Sequence, residues 1–402
     1  MSRLRRKKAI FTIVVVLILG TGLAVFGIRK LHTSTKTVDT TPQAQQAANL
    51  AIPKAETIRL IAVGDQLPHD AINLRAKTST GYDYLPFFSE VRRYFNAADI
   101  RFCNQEVPSA GESFGITGYP VFNAPTQFAK DINTLGCNVI NVATNHSFDK
   151  GQAGINATRG VWDSLNKYAI AGANRSQAEQ DTIQYFTVKG VKFAFLAYAE
   201  YSNIKTTSGY TLNIYSADIA GRQVAEARKH ADVVIVSMHW GTEYSQTPND
   251  MQINAATNLA NNGADIVIGT GPHVVQPVAK ITKGGGGETL VWYSIGNFLN
   301  AQLDINSLIS GIAVMDFTIE NHKPVLTKVG FMPIYMHYEW TADEKANQDL
   351  LARKNFKLYP LDLATNPLAI SWKDTTVAAQ TTMITNVVNQ YTPVTMYTSA
   401  TY

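Results

Sequence analysis

The sequence predicts an α/β protein, and three observations carry that reading. Short runs of β-branched and apolar residues recur between positions 58 and 298, as at 58–63, 233–237 and 264–268. Between them lie segments whose apolar residues repeat at helical spacing. The runs also end, one after another, in side chains able to hold a cation or move a proton, as ligand-binding residues do at the carboxyl edge of a parallel sheet.

The first run, 58–63, stops at Gly64-Asp65, where glycine lets the backbone turn and Asp65 is presented at the strand exit. Phe88, Val91 and Phe95 predict a helix over 87–95, and a second strand over 99–103 ends in Asn104-Gln105-Glu106. A Gly- and Pro-rich loop, 107–125, carries Tyr119, Phe122 and Asn123 and is expected to line a substrate groove. Thr126 is read as the cap of a helix with Phe128, Ile132 and Leu135 on one face and Gly136 as its stop. The third strand, 138–143, delivers Asn145 and His146, with Asp149 expected to cap the helix marked by Val161, Leu165 and Tyr168.

Residues 191–198 alternate as a strand, and a helix follows near 221–230. The strand at 233–237 leads to His239-Trp240-Gly241-Thr242-Glu243-Tyr244, and a helix over 251–262 closes at Gly263. The strand at 264–268 runs out through Gly269 to His273. Residues 274–282 and 288–293 bracket four glycines as a hairpin that finishes near Asn297. The segment from 331 onward holds a helix near 377–388 and no assignable chemistry.

Composition narrows the function. The net charge of the 402 residues is +4, but five of the 35 Lys and Arg side chains lie within residues 3–8. Without them 30 basic residues face 31 acidic ones, so the body has no electrostatic footprint for nucleic acid. Positions 9–28 carry no charge and would span ~30 Å as a helix, a bilayer's hydrocarbon thickness. The denser positive cluster precedes them, which places the N-terminus in the cytoplasm and the rest outside the cell membrane. The alternative is a cleaved signal peptide, but Phe26-Gly27-Ile28-Arg29 offers no Ala-x-Ala site.

The expected organisation is therefore a basic cytoplasmic segment over 1–8, a single-pass anchor over 9–28, a Thr/Gln/Ala tether over 29–56, a folded domain over 57–330 and a C-terminal extension over 331–402. Cys103 at a strand exit and Cys137 at the entry of the next strand are read as reduced, too far apart to join.

Asn145-His146 alone would pass as ordinary loop residues. Together with Asp65, Glu106, His239 and His273, they form an oxygen and imidazole set that suits Mn, Fe or Zn. Asp65, Glu106, Asn145, His239 and His273 are the expected ligands of one or two divalent ions, with Glu106 as the bridge. His146 is the expected acid or charge stabiliser, and Asn104, Glu243 and Asn297 are expected to brace the ligands or touch substrate.

The segments Gly64-Asp65, Asn104-Gln105-Glu106, Ala143 through Gly151, His239 through Tyr244, Gly263 through Gln276 and Tyr293 through Phe298 together resemble the CapA family. Those are membrane-anchored proteins of poly-γ-glutamate capsule synthesis within the calcineurin-like metallophosphoesterase superfamily. The resemblance covers about 58–303. It implies a four-layer α/β/β/α sandwich, a metal-dependent phosphoesterase-type site and a part in making or exporting an anionic envelope polymer. Membrane-embedded synthase or export subunits would be the partners. Leu67 stands where the superfamily usually has His, with His69 two residues further on, and Gly271 stands where the family commonly has another His. Two competing readings are a secreted metal-dependent phosphodiesterase or phosphatase acting on envelope phosphates, and a non-catalytic assembly partner of a polymer synthase.

Overall fold

The computed structural model describes residues 56–320 and 323–402. The anchor expected at 9–28 and nearly all of the tether lie outside the described residues. Among the described residues no helix is long and apolar enough to cross a membrane.

The apolar runs form strands, in chain order β1 (Thr57–Gln66), β2 (Ile100–Gln105), β3 (Val139–Asn141), β4 (Ala169–Ala171), β5 (Gln184–Val188), β6 (Val191–Ala199), β7 (Val233–His239) and β8 (Ile266–Thr270). They continue as β9 (Val278–Thr282), β10 (Glu288–Trp292), β11 (Asn297–Leu299), β12 (Ile309–Glu320), β13 (Lys323–Glu339), β14 (Lys354–Pro360) and β15 (Thr395–Met396). One sheet has the order β14-β13-β12-β1-β2-β3-β4, with β11 beside β1 and β15 beside β13; the other has the order β5-β6-β7-β8-β10-β9. β1 through β4 are parallel neighbours, and so are β6, β7 and β8, so in each sheet their exits share one edge.

The sheets pack face to face. Phe102 of β2 meets Phe195 of β6 at 6.1 Å, and Trp292 of β10 meets Phe331 of β13 at 5.8 Å between ring centroids. On β7, Val233 and Ile235 join this inner core, while Val234, Val236 and Met238 face a second cluster with Ala220, Val224 and Leu259 of helices Ala217–His230 and Asp250–Asn261. Burial on both faces is why the strand reads as a continuous apolar run instead of alternating. On the other sheet, helix Gly151–Asp163 is pinned by Trp162 Nε1, which donates to Gln105 Oε1 of β2 at 2.7 Å.

Several local expectations change. The helix predicted over 87–95 divides into a 3-10 turn at Leu85–Phe88 and a short helix at Arg92–Asn96. Thr126 is the first helical residue and caps nothing; Pro125 precedes it. Asp149 does not cap helix Gly151–Asp163, whose N-cap Lys150 makes no side-chain cap bond. β13 runs through position 330, so the C-terminal segment continues the first sheet.

Cys103 and Cys137 form a disulfide with their Cα atoms 5.8 Å apart, which overturns the reading of two reduced thiols. The mistaken premise was that Cys137 lies on the strand axis. It sits instead in the turn after helix Thr126–Leu135, where its N–H donates to Ile132 O and Asn138 N–H donates to Arg101 O. That turn folds back beside β2.

Candidate metal centre

Strand register assembles the site. Across the first sheet, Asn297 pairs with Asp65, Asp65 with Asn104 and Asn104 with Asn141, so four polar residues form a row over β11, β1, β2 and β3. Across the second sheet, Ala199, His239 and Thr270 form a row over β6, β7 and β8. Both rows lie at strand exits, and the residues beyond them close the gap.

Two glycines permit the approach. The register of β1 shifts at Gly64, where a Cβ would stand 1.8 Å from Gly296 O. Bulges of this kind re-aim a side chain, and here the re-aimed residue is Asp65. Gly271 has φ +107, and a Cβ on it would meet Trp240 O at 2.8 Å and His239 Nε2 at 3.3 Å. The departure from the family pattern at 271 is therefore built into the backbone: the space for a side chain is already filled.

Asp65, Glu106 and His273 bring one ligand atom each within 4.8 Å of one another, all buried. Asp65 Oδ1 accepts from Asn104 Nδ2 at 2.7 Å, and Asp65 Oδ2 lies 3.0 Å from His273 Nδ1 and accepts from Gly271 N. His273 Nδ1 is also 3.0 Å from Asn297 Oδ1. With two oxygen acceptors, Nδ1 carries the proton, and Nε2 faces Glu106 Oε1 at 3.7 Å. Both oxygens of Glu106 are buried with no hydrogen-bond partner. A fully buried carboxylate without donors is costly unless a cation or proton satisfies it.

The second half is neutral. His239 Nε2 lies 2.9 Å from Asn145 Oδ1, and Nδ1 lies 3.0 Å from Thr270 Oγ1. His239 Nδ1 is 4.0 Å from Asp65 Oδ1, which links the two halves. All five expected ligands thus meet in one place. The lone pairs of Glu106, the Nε2 of His273 once its proton is displaced, and the Asn145–His239 pair make a donor set of oxygens and imidazoles that fits a divalent ion.

His146 stands beside this set. Asp149 Oδ2 holds its Nδ1 at 2.7 Å and accepts from Phe122 N–H at the same distance. The Phe122 ring meets the imidazole edge-on at 4.7 Å. Asp149 therefore orients His146 instead of capping a helix. Asn104 and Asn297 brace ligands as expected, and Asn104 Oδ1 in turn accepts from Asn141 Nδ2 at 2.6 Å. Glu243 is exposed on the rim and makes no hydrogen bond within the site, although its charge reaches Glu106 and His273.

Electrostatics differ across the centre. Burial raises the Glu106 carboxyl well above its ordinary value, helped by the charge of Asp65. Burial would also raise Asp65, but its bond to His273 and the charges of His273 and His239 hold it below. Burial opposes protonation of His273, yet Glu106 and Asp65 outweigh it and lift the group to about 10. His239, equally buried, falls to about 4. His69 is not among the side chains that bring a ligand atom to this cluster, and its Nδ1 lies 3.0 Å from Leu67 O.

The strand-exit rule also reaches residues not singled out from the sequence. β6 ends at Ala199, and the next four residues finish with Asn203, whose N–H donates to Asn145 O at 2.9 Å and whose Nδ2 lies 3.4 Å from the His146 ring nitrogens. Glu200 Oε2 accepts from Gly241 N at 2.8 Å and holds the loop after β7. Thr270 carries no periodic or motif signal; only the pairing of β7 with β8 identifies it.

The family profile described as "Bacterial capsule synthesis protein PGA_cap" matches residues 59–302. The chain is 36% identical over 178 residues to PGA biosynthesis protein CapA of Bacillus subtilis (strain 168), covering 42% of this chain and 44% of that one. It is 30% identical over 185 residues to Capsule biosynthesis protein CapA of Bacillus anthracis, covering 44% and 43%. These matches span less than half the length of either relative. Among solved structures, the calcineurin-like phosphoesterase YfkN of Bacillus subtilis aligns at 13% identity and a TM-score of 0.42, over 69% of this chain and 90% of that one. A likeness that slight says nothing of activity. The profile match runs from β1 past Asn297 and takes in every strand exit of the centre, and on that extent the chain belongs to the bacterial capsule synthesis protein PGA_cap family.

Proposed function

We propose that this protein is a membrane-anchored, extracytoplasmic component of the synthesis or export of an anionic capsule polymer such as poly-γ-glutamate, with a metal-dependent centre of phosphoesterase type in a four-layer sandwich. The observation that carries the reading is Glu106, whose two buried oxygens lack any donor beside Asp65 and His273. The names of the two Bacillus relatives support the polymer, and the neutral charge of the body leaves nucleic acid aside. The Cys103–Cys137 disulfide supports a compartment outside the cytoplasm, and the uncharged run at 9–28 supports the anchor. Membrane-embedded synthase or export subunits are the fitting partners.

In this reading Asp65, Glu106, Asn145, His239 and His273 hold Mn, Fe or Zn, one or two ions. The bound metal would supply Lewis-acid activation of a phosphoryl oxygen or of water. Asp149 holds Nδ1 of His146 and so turns Nε2 toward the site, where it would give a proton to a leaving oxygen when Nε2 carries one. Phe122 and the buried walls exclude water from that imidazole.

Elemental analysis of the full chain purified without chelator tests the reading. At least one equivalent of a divalent transition metal is expected, lost in Asp65→Ala and Glu106→Gln. No bound metal, with no turnover of a chromogenic phosphodiester on adding manganese, would overturn the enzymatic part. Polymer production that survives deletion of the protein would overturn the capsule part.

A further inference from the structure

Two cavities lie side by side beside the centre. The first, about 470 Å³, lies between Tyr244, whose ring is 5.9 Å from His273, and Tyr119. The second, about 620 Å³, runs from Tyr119 to Lys77 and Tyr82. They share His69, Tyr119, Leu350 and Arg353. Each lobe is as large as a pocket for a whole small ligand, ~300–1,000 Å³. A small phosphate ester would leave most of this groove empty, so its dimensions suit a ligand that continues past the reacting group.

The chemistry of the junction defines the ligand further. Arg353 is 4% exposed. Its Nε donates to Leu350 O at 2.8 Å and its Nη1 to Ala301 O, both carbonyls. Among the described residues the only carboxylate whose charge reaches it is Asp70, and burial dominates to push its pKa down. The guanidinium also lies over the Tyr338 and Trp340 rings, 5.5 and 5.9 Å from their centroids, and an anion brought in by a ligand would add the countercharge that carbonyls and rings do not supply. The walls also carry Lys77, Asp70 and Asp304, and Asp304 is already engaged, accepting from Asn306 N at 2.8 Å.

At the mouth, Tyr119 is 78% and Tyr244 is 57% exposed. Tyr244 holds a left-handed backbone, φ +65, secured by its N–H to Pro272 O at 2.7 Å. A non-glycine residue kept in that region beside a candidate centre is a mark of use. Tyr119 reaches the centre through Phe122, which packs on His146.

We propose that this groove binds an extended acidic chain, with Arg353 taking a carboxylate at the junction and Tyr119 and Tyr244 flanking the segment that enters the centre. The inference rests on the polymer reading above and adds where and by which residues the polymer is held.

The test is calorimetric titration of the full chain, stripped of metal by chelator, with γ-linked oligoglutamates of about two, five and ten residues and with an oligoglutamine of about ten. Affinity is expected to rise with length, to weaken with salt and to fall at least tenfold for the neutral chain. Tyr119→Ala and Lys77→Glu, both at exposed positions, are each expected to weaken the longest oligomer about tenfold. Arg353→Gln should do more, with partial rescue by Arg353→Lys; if Arg353→Gln fails to fold by circular dichroism, the two exposed variants decide. Binding that ignores length, or that is unchanged in both Tyr119→Ala and Lys77→Glu, overturns the proposal. Because the titration is metal-free, its outcome is independent of the metal analysis. Bound metal without oligomer binding removes the groove alone, and oligomer binding without metal removes the centre alone.

Discussion

His239 and His273 are buried alike at neighbouring strand exits, yet one is pushed down to about 4 and the other up to about 10. Depth cannot explain the difference, because desolvation disfavours the charged form of both. The neighbours explain it. His273 lies between Asp65 and the donorless Glu106, whereas His239 touches an amide and a hydroxyl. The centre therefore has a charged half that holds a proton on His273 and a neutral half built on His239.

Removing the shared carboxylate would break this contrast most severely. Asp65 touches His273 directly and reaches His239 at 4.0 Å. Asp65→Asn is expected to abolish metal binding and to cost the metal-free protein about 3–5 kcal/mol at pH 7, as loss of one partner of a buried ion pair does. Chemical denaturation and elemental analysis check both.

The next largest effect is a pair of opposite pH slopes. The unfolded chain protonates His239 near 6.5 and the folded chain only near 4, so stability falls as pH drops between those values, by about 3 kcal/mol in all. For His273 the folded value is the higher one. Its contribution is complete below 6.5 and is lost as pH rises toward about 10. Histidine NMR titrations joined to denaturation curves would show one imidazole neutral and one charged at pH 7. Two histidines titrating together would refute the contrast. Metal uptake near pH 8 should release at least one proton, seen with an indicator in weak buffer, because the ion displaces protons held by His273 and the buried Glu106.

Smaller changes sharpen the comparison. With His239 neutral, the Thr270 hydroxyl donates to Nδ1 while Nε2–H donates to Asn145; were Nε2 to hold a metal, the ring proton would have to stand on Nδ1 and the hydroxyl would accept it. Thr270→Val removes that adaptability and should weaken metal binding about 10–100-fold with only about 1 kcal/mol lost in stability. Tyr244→Phe deletes one long contact, to Gln302 at 3.4 Å, and is expected to change stability by less than about 0.5 kcal/mol. A measured cost of several kcal/mol would mean that the rim braces His273.

The strand exits were legible because a parallel strand buried on both faces must be continuously apolar, so acidic, amide and imidazole side chains within a few residues beyond its end stand out. Asp65, Glu106, Asn145, His239 and His273 were all found that way, and they converge. Asn203 follows the same rule at the end of β6 and was open to it. Thr270 and Asn141 were not, since a threonine or asparagine at the end of a strand is ordinary until lateral register shows its neighbour. Asp149 had two possible tasks one turn apart, and sequence spacing suits a cap as well as a bond to His146.

The amino-acid order alone determined the alternation of apolar strands with amphipathic helices, and with it the identity of the candidate ligands at their ends. Only the tertiary structure decided which residues became neighbours. The bulge at Gly64, the blocked Cβ at Gly271 and the turn that carries Cys137 back to Cys103 are contacts between segments distant in the chain. Periodicity reports how a segment divides between core and solvent, which is a local property. Proton affinity, cross-links and close approach depend on what stands opposite, and that is set only when the sheets pair and pack.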